Sequence, residues 1–196
     1  MMILGSIIVF AIISGCKKEV PITAINLSQD KLLLEKGTTQ TLVATILPED
    51  ATDKTVNWSS SDASVASVDQ DGRVTAHENG KAQITARAGG VSAYCDVEVV
   101  TKVSSISLDK TTLVMEKGTT EALVATVLPE DATDKTVNWS SSDASVASVD
   151  QEGRVTANAV GEAKIKVSTP DGKITAICHL TVITPGGIDI IPEINL

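Results

Sequence analysis

The chain has 196 residues and a net charge of −9, from 25 acidic and 16 basic side chains, with four aromatics in all: Phe10, Trp58, Tyr94 and Trp139. That length suits one medium or two small domains. The acidic balance excludes the electrostatic grip by which proteins hold nucleic acid or anionic lipid surfaces.

At the N-terminus, residues 3–13 are apolar apart from Gly5 and Ser6. The run is too short for an ordinary membrane-spanning helix and suits the apolar part of a secretory signal. It leads into Ile13-Ser14-Gly15-Cys16, which resembles a bacterial lipobox: an apolar residue, small residues, then cysteine. The resemblance implies that residues 1–15 are a signal peptide and that Cys16 is lipidated and becomes the mature N-terminus. Residues 16–21 then form a short tether on the membrane. The first five residues carry no Lys or Arg, which departs from the usual signal. The alternative is an uncleaved anchor with a chance cysteine. Both readings put the remaining chain outside the cytoplasm, and acyl chains bind at roughly 0.8 kcal/mol per buried methylene.

The rest of the chain reads as strands. Leu42, Ala44 and Ile46 share one apolar face. Ala82, Ile84 and Ala86 alternate with Lys81, Gln83, Thr85 and Arg87, and Cys95, Val97 and Val99 alternate with Asp96 and Glu98. A period of two predicts strands with one buried and one wet face. Asp71-Gly72, Asn79-Gly80, Gly89-Gly90 and Pro170-Asp171-Gly172 mark turns. No stretch shows a helical period.

The same pattern then returns. Residues 47–70, LPEDATDKTVNWSSSDASVASVDQ, recur unchanged as residues 128–151, an offset of 81. Such a period is too long for a solenoid unit and suits a small β-domain. The spacing predicts an all-β chain of two tandem antiparallel sandwiches. Domain 1 covers residues 22–101 and domain 2 residues 102–184, with an apolar tail at 185–196 that is either a truncated linker or a strand for a neighbour's sheet edge. The linker at 101–104 is short, so the domains should sit end to end.

Each copy resembles the bacterial immunoglobulin-like group 2 domain. The matching residues in the first copy are Ile25-x-Leu27, Leu34-x-x-x-Gly37, Leu42-x-Ala44, Pro48, Val56-x-Trp58-Ser59-Ser60, Val65-Ala66-x-Val68, Gly72-x-Val74-Thr75-Ala76, Gly80-x-Ala82-x-Ile84 and Cys95-x-Val97-x-Val99. The second copy carries the same pattern over residues 106–182. The resemblance implies an Ig-like β-sandwich without intrinsic catalysis, of a kind found in surface proteins and adhesins.

Candidate residues follow. Trp58 and Trp139 sit on central strands and are expected in the two cores. Cys95 and Cys178 hold equivalent places on apolar faces and read as buried free thiols, because a bridge needs Cα atoms within about 7 Å and equivalent points of end-to-end sandwiches lie farther apart; the alternative is an intermolecular disulfide. Glu49, Asp50 and Asp53, with their twins Glu130, Asp131 and Asp134, make the repeated loop a candidate ligand site for a glycan or protein. The loop at 48–53, with Asp62, Asp69 and Asp71, also offers oxygens of the kind structural Ca²⁺ takes, but the spacing does not match an EF-hand loop and the carboxylates lie on different turns. No other cofactor or metal is implied. His77 and His179 are the two histidines, neither recurs in the other copy, and no nucleophile, zinc or phosphate motif is present. The expectation is a non-enzymatic lipoprotein of the bacterial envelope, without a small-molecule substrate, acting as a display spacer and adhesion module. The alternatives are a purely structural stalk or an accessory subunit of an envelope complex. The repeat also limits the search. A site used twice should lie in the shared loop at 48–54 and its twin; a site used once should lie where the copies differ, including residues 77–79, 87–94, 158–160 and 167–177.

Overall fold

The computed structural model describes residues 18–186, and these contain strands and turns but no helix. Cys16 and most of the tail lie outside them. Domain 1 has nine strands: β1 (Ala24–Leu27), β2 (Lys31–Glu35), β3 (Thr39–Thr41), β4 (Ala44–Leu47), β5 (Asn57–Ser60), β6 (Ala66–Val68), β7 (Arg73–Ala76), β8 (Gly80–Ala88) and β9 (Val91–Val100). Domain 2 repeats them as β10 (Ser105–Leu108), β11 (Thr112–Glu116), β12 (Thr120–Ala122), β13 (Ala125–Leu128), β14 (Asn138–Ser141), β15 (Ala147–Val149), β16 (Arg154–Ala157), β17 (Gly161–Ser168) and β18 (Thr175–Ile183).

Within domain 1 a four-stranded sheet, ordered β2-β9-β8-β5, faces a three-stranded sheet, β3-β7-β6, with β1 and β4 paired at one side. Domain 2 has the same order. The β8–β9 hairpin sets the register: Ile84 pairs with Cys95 and Ala82 with Val97. Those four side chains therefore point into the sandwich together, and each is at most 6% exposed. Their neighbours Lys81, Gln83, Asp96 and Glu98 stay in water, as one-sided alternation requires.

Two features depart from a plain antiparallel strand reading. First, β2 runs parallel to β9, and β11 to β18. Second, the run from Leu42 to Ile46 is not one strand. Leu42 donates its N–H to Gly72 O at 2.8 Å and stays with the β7 sheet, whereas Ser28 N–H donates to Val43 O at 2.9 Å and draws the chain to β1. The segment crosses from one sheet to the other between Leu42 and Val43. Leu42 and Ile46 remain buried on either side of the crossing.

Each core is built around its tryptophan. Trp58 lies on β5 opposite Ala86, a fully buried small residue that leaves room for the indole. The ring also covers the Asp71-Gly72 turn. Gly72 has φ +77, and a Cβ there would lie 2.8 Å from Trp58 Cζ2. Gly153 stands against Trp139 in the same way. A glycine is needed at this turn for two reasons, the left-handed backbone and the closeness of the ring.

Candidate functional site

The repeated loop begins at a cis peptide, Leu47–Pro48 in domain 1 and Leu128–Pro129 in domain 2. Ala51 N–H then closes a tight turn on Pro48 O at 3.1 Å, and Ala132 does the same on Pro129 O at 3.0 Å. Both alanines are buried, so the loop is pinned by its middle. Asp53 Oδ1 accepts the Thr55 N–H at 2.9 Å, and Asp134 Oδ1 the Thr136 N–H at 2.9 Å. The Thr55 and Thr136 side-chain hydroxyls first, and then these backbone N–H groups, hold both carboxyls below the usual carboxylate range. These two aspartates therefore serve their own turns.

The loop threonine fastens the chain that enters the domain. In domain 1 Thr52 Oγ1 accepts the Val20 N–H at 2.9 Å, and Thr52 N–H donates to Val20 O at 3.0 Å. In domain 2 Thr133 makes the same pair with Thr101 of the linker, both at 2.9 Å. The shared loop is thus an entry clamp, which gives its identity in the two copies a structural cause.

Asp131 goes further and reaches domain 1. Lys36 Nζ lies 3.1 Å from Asp131 Oδ2 and 2.8 Å from Glu78 Oε2. Asn79 Nδ2 donates to Asp131 O at 2.6 Å, while Asn79 Oδ1 accepts the Thr101 hydroxyl at 2.8 Å. Lys102 of the linker pairs with Glu35 at 3.1 Å. The Lys36 ammonium holds the Asp131 carboxyl below its ordinary value, and the two carboxylates raise Lys36, Glu78 first. The twin loop in domain 1 has no such neighbour among the described residues: Glu49 and Asp50 are exposed and make no ion pair there.

The remaining candidates have structural surroundings. Trp58 and Trp139 are 9% and 7% exposed. Cys95 and Cys178 are free and fully buried. Burial, reinforced by Asp96 and Asp30, pushes the Cys95 thiol up to about 11, and burial also raises Cys178. His77 Nε2 lies 2.8 Å from Ser67 Oγ. Asn158 Nδ2 makes the matching bond to Ser148 Oγ at 3.2 Å in domain 2, so that bond requires no imidazole. His179 is exposed on β18. Among the described residues no three His, Cys, Asp or Glu side chains gather closely enough to hold a metal ion.

Sequence reasoning put the acidic loop residues in one class, whereas the structure separates them. Asp53 and Asp134 bind their own turns, Asp131 binds domain 1, and Glu49, Asp50 and Glu130 face water. It gives Lys36 no functional role, and Asn79 only a place in a turn and in the divergent stretch at 77–79. The signal for Asn79 was present in the divergence of the copies at 77–79.

Known proteins agree with this architecture. The chain is 40% identical over 166 residues to an uncharacterized protein of Clostridium acetobutylicum, covering 82% of this chain and 17% of that protein. It is 34% identical over 170 residues to an Ig-like virion protein of Serratia phage KSP90, covering 83% of this chain and 66% of that protein. The chain therefore spans less than two thirds of the length of each relative. Among solved structures, the Sidekick-1 immunoglobulin domains 1–4 share the fold at a TM-score of 0.53 and 12% identity, covering 84% of this chain and 50% of that one. The profile of the bacterial Ig-like domain (group 2) matches twice, over residues 21–97 and 102–179. The chain belongs to the bacterial Ig-like group 2 family, as two tandem copies of its domain.

Proposed function

We propose that this chain is an extracytoplasmic spacer, lipid-anchored through Cys16, that carries a binding face away from the membrane. Its Ig-like domains are non-catalytic binding or structural modules of a type found on surfaces. The observation that carries the spacer reading is the joint. Domain 2 meets domain 1 through side chains as well as through its four-residue linker at 101–104. Two sandwiches held in this way keep what they display at a set distance from the anchor. Tandem Ig-like domains host many functions, so the fold alone does not choose the ligand.

The joint also narrows where a glycan or protein ligand would be read. Asp131 is occupied by Lys36, so the two acidic loops are not equivalent sites. The exposed pair Glu49 and Asp50 is the surface of this loop still open to a ligand, and avidity from two identical loops is not expected.

Fractionation of a bacterial host expressing the full chain and its Cys16→Ser variant tests the anchor. The proposal requires the wild type in the membrane fraction with incorporated fatty acid, and the variant without label. Wild-type protein that takes up no label overturns it. Protease treatment of intact cells then separates outward display from a periplasmic position.

A further inference from the structure

We infer that Lys36, Glu78 and Asn79 form a receptor at the far end of domain 1 that recognises the acidic loop of domain 2 and locks the two sandwiches into one rigid body. Recognition is specific in chemistry. The Asn79 side chain is used at both ends: its amide N–H donates to the Asp131 carbonyl at 2.6 Å, and its oxygen accepts the Thr101 hydroxyl at 2.8 Å. A carbonyl can only accept, so the amide orientation is fixed by the partners. Lys36 sits between Glu78 at 2.8 Å and Asp131 at 3.1 Å, so Glu78 aims the ammonium at the incoming loop.

None of these contacts would hold two separate proteins, because exposed ion pairs contribute little singly. Here the domains are already joined by residues 101–104, and linkage makes docking intramolecular at high effective concentration. The linker is itself part of the lock. Thr101 is bound by Thr133 from one side and by Asn79 from the other, and Lys102 reaches Glu35.

The repeat provides an internal comparison. At the far end of domain 2, Lys36, Glu78 and Asn79 are replaced by Lys117, Ala159 and Val160. The lysine is kept, but its acidic guide and the amide are gone. Val160 is 51% exposed and can neither donate to a carbonyl nor accept from a threonine hydroxyl. Among the described residues the copies therefore differ at the contact that joins domain 1 to domain 2, and a loop of this kind would not find the same receptor on domain 2.

Amide residual dipolar couplings on residues 18–186, which contain both complete sandwiches, test the receptor. The wild type should fit a single alignment tensor across both domains. Asn79→Val, which installs the residue domain 2 carries, should separate the tensors and lower the degree of order of one domain relative to the other. Lys36→Met, at a half-buried turn residue, should do the same by removing the ion pairs; if Asn79→Val loses chemical-shift dispersion in domain 1, Lys36→Met alone decides. Two separate tensors in the wild type would overturn the inference. So would one shared tensor in folded Asn79→Val and Lys36→Met proteins, since the linker alone would then fix the joint.

Discussion

Two glycines with nearly the same backbone and different surroundings allow the packing at the Trp58 turn to be measured. Gly37 has φ +82 with nothing within 4 Å of a built Cβ, whereas Gly72 has φ +77 with Trp58 Cζ2 at 2.8 Å and the Leu42 carbonyl oxygen closer still. Gly37→Ala meets only the left-handed backbone penalty, about 1–2 kcal/mol. Gly72→Ala meets that penalty and forces the indole or the Leu42 backbone to move, which adds about 1–3 kcal/mol as overpacking does elsewhere. The expected difference between the variants is therefore about 1–3 kcal/mol. Urea unfolding in a Trp139→Phe background leaves Trp58 as the sole tryptophan, so its emission follows domain 1. Equal costs at the two glycines would refute the close packing of the turn beneath the ring.

Trp58→Ala should destabilise domain 1 by about 3–5 kcal/mol, while Trp139 emission reports a nearly unchanged transition in domain 2; a matching loss in domain 2 would mean the cores are not separate. Cys95 and Cys178 should react with an aromatic disulfide at pH 8 only as the chain unfolds, because burial raises both thiols, Cys95 to about 11; reaction in the folded state at the rate of a free thiol would contradict their placement. Asp62 accepts Ser64 N–H at 3.0 Å and the Ser64 hydroxyl at 2.6 Å, which lowers its carboxyl. A lowered folded value means that this stabilisation is present above the unfolded value of about 3.9 and lost as pH falls through the folded one. The urea midpoint of domain 1 should thus fall below about pH 4, less steeply in Asp62→Asn than in wild type; identical slopes would remove Asp62 from the acid response.

Much of the fold is legible in the sequence because a sandwich writes its buried face into every second residue. The alternation at 80–88 and 95–99 places Ala82, Ile84, Cys95 and Val97 in the core. The parallel pairing of β2 with β9 leaves no such mark, since alternation gives a strand's faces but not its neighbours. The crossing at Leu42–Val43 is hidden for a related reason. Leu42 and Ile46, on either side of the break, face the same core, so the pattern runs on while the hydrogen bonds change sheet. The candidate site divides in the same way. Identity between the copies marks the 48–54 loop but cannot say that Thr52 and Thr133 clamp the entering chain, because those bonds reach back 32 residues. Asn79 is visible only by contrast with Val160, and its partners are Thr101 of the linker and Asp131 of the other domain.

The most direct measurement of the account is the distance between the two domains. Thr45→Cys and Thr126→Cys place spin labels at equivalent exposed positions on β4 and β13, while the native thiols are shielded. Pulsed dipolar spectroscopy on residues 18–186 should give one narrow distance distribution, which broadens when Asn79→Val is added. A broad distribution in the otherwise native protein would contradict a spacer of fixed reach.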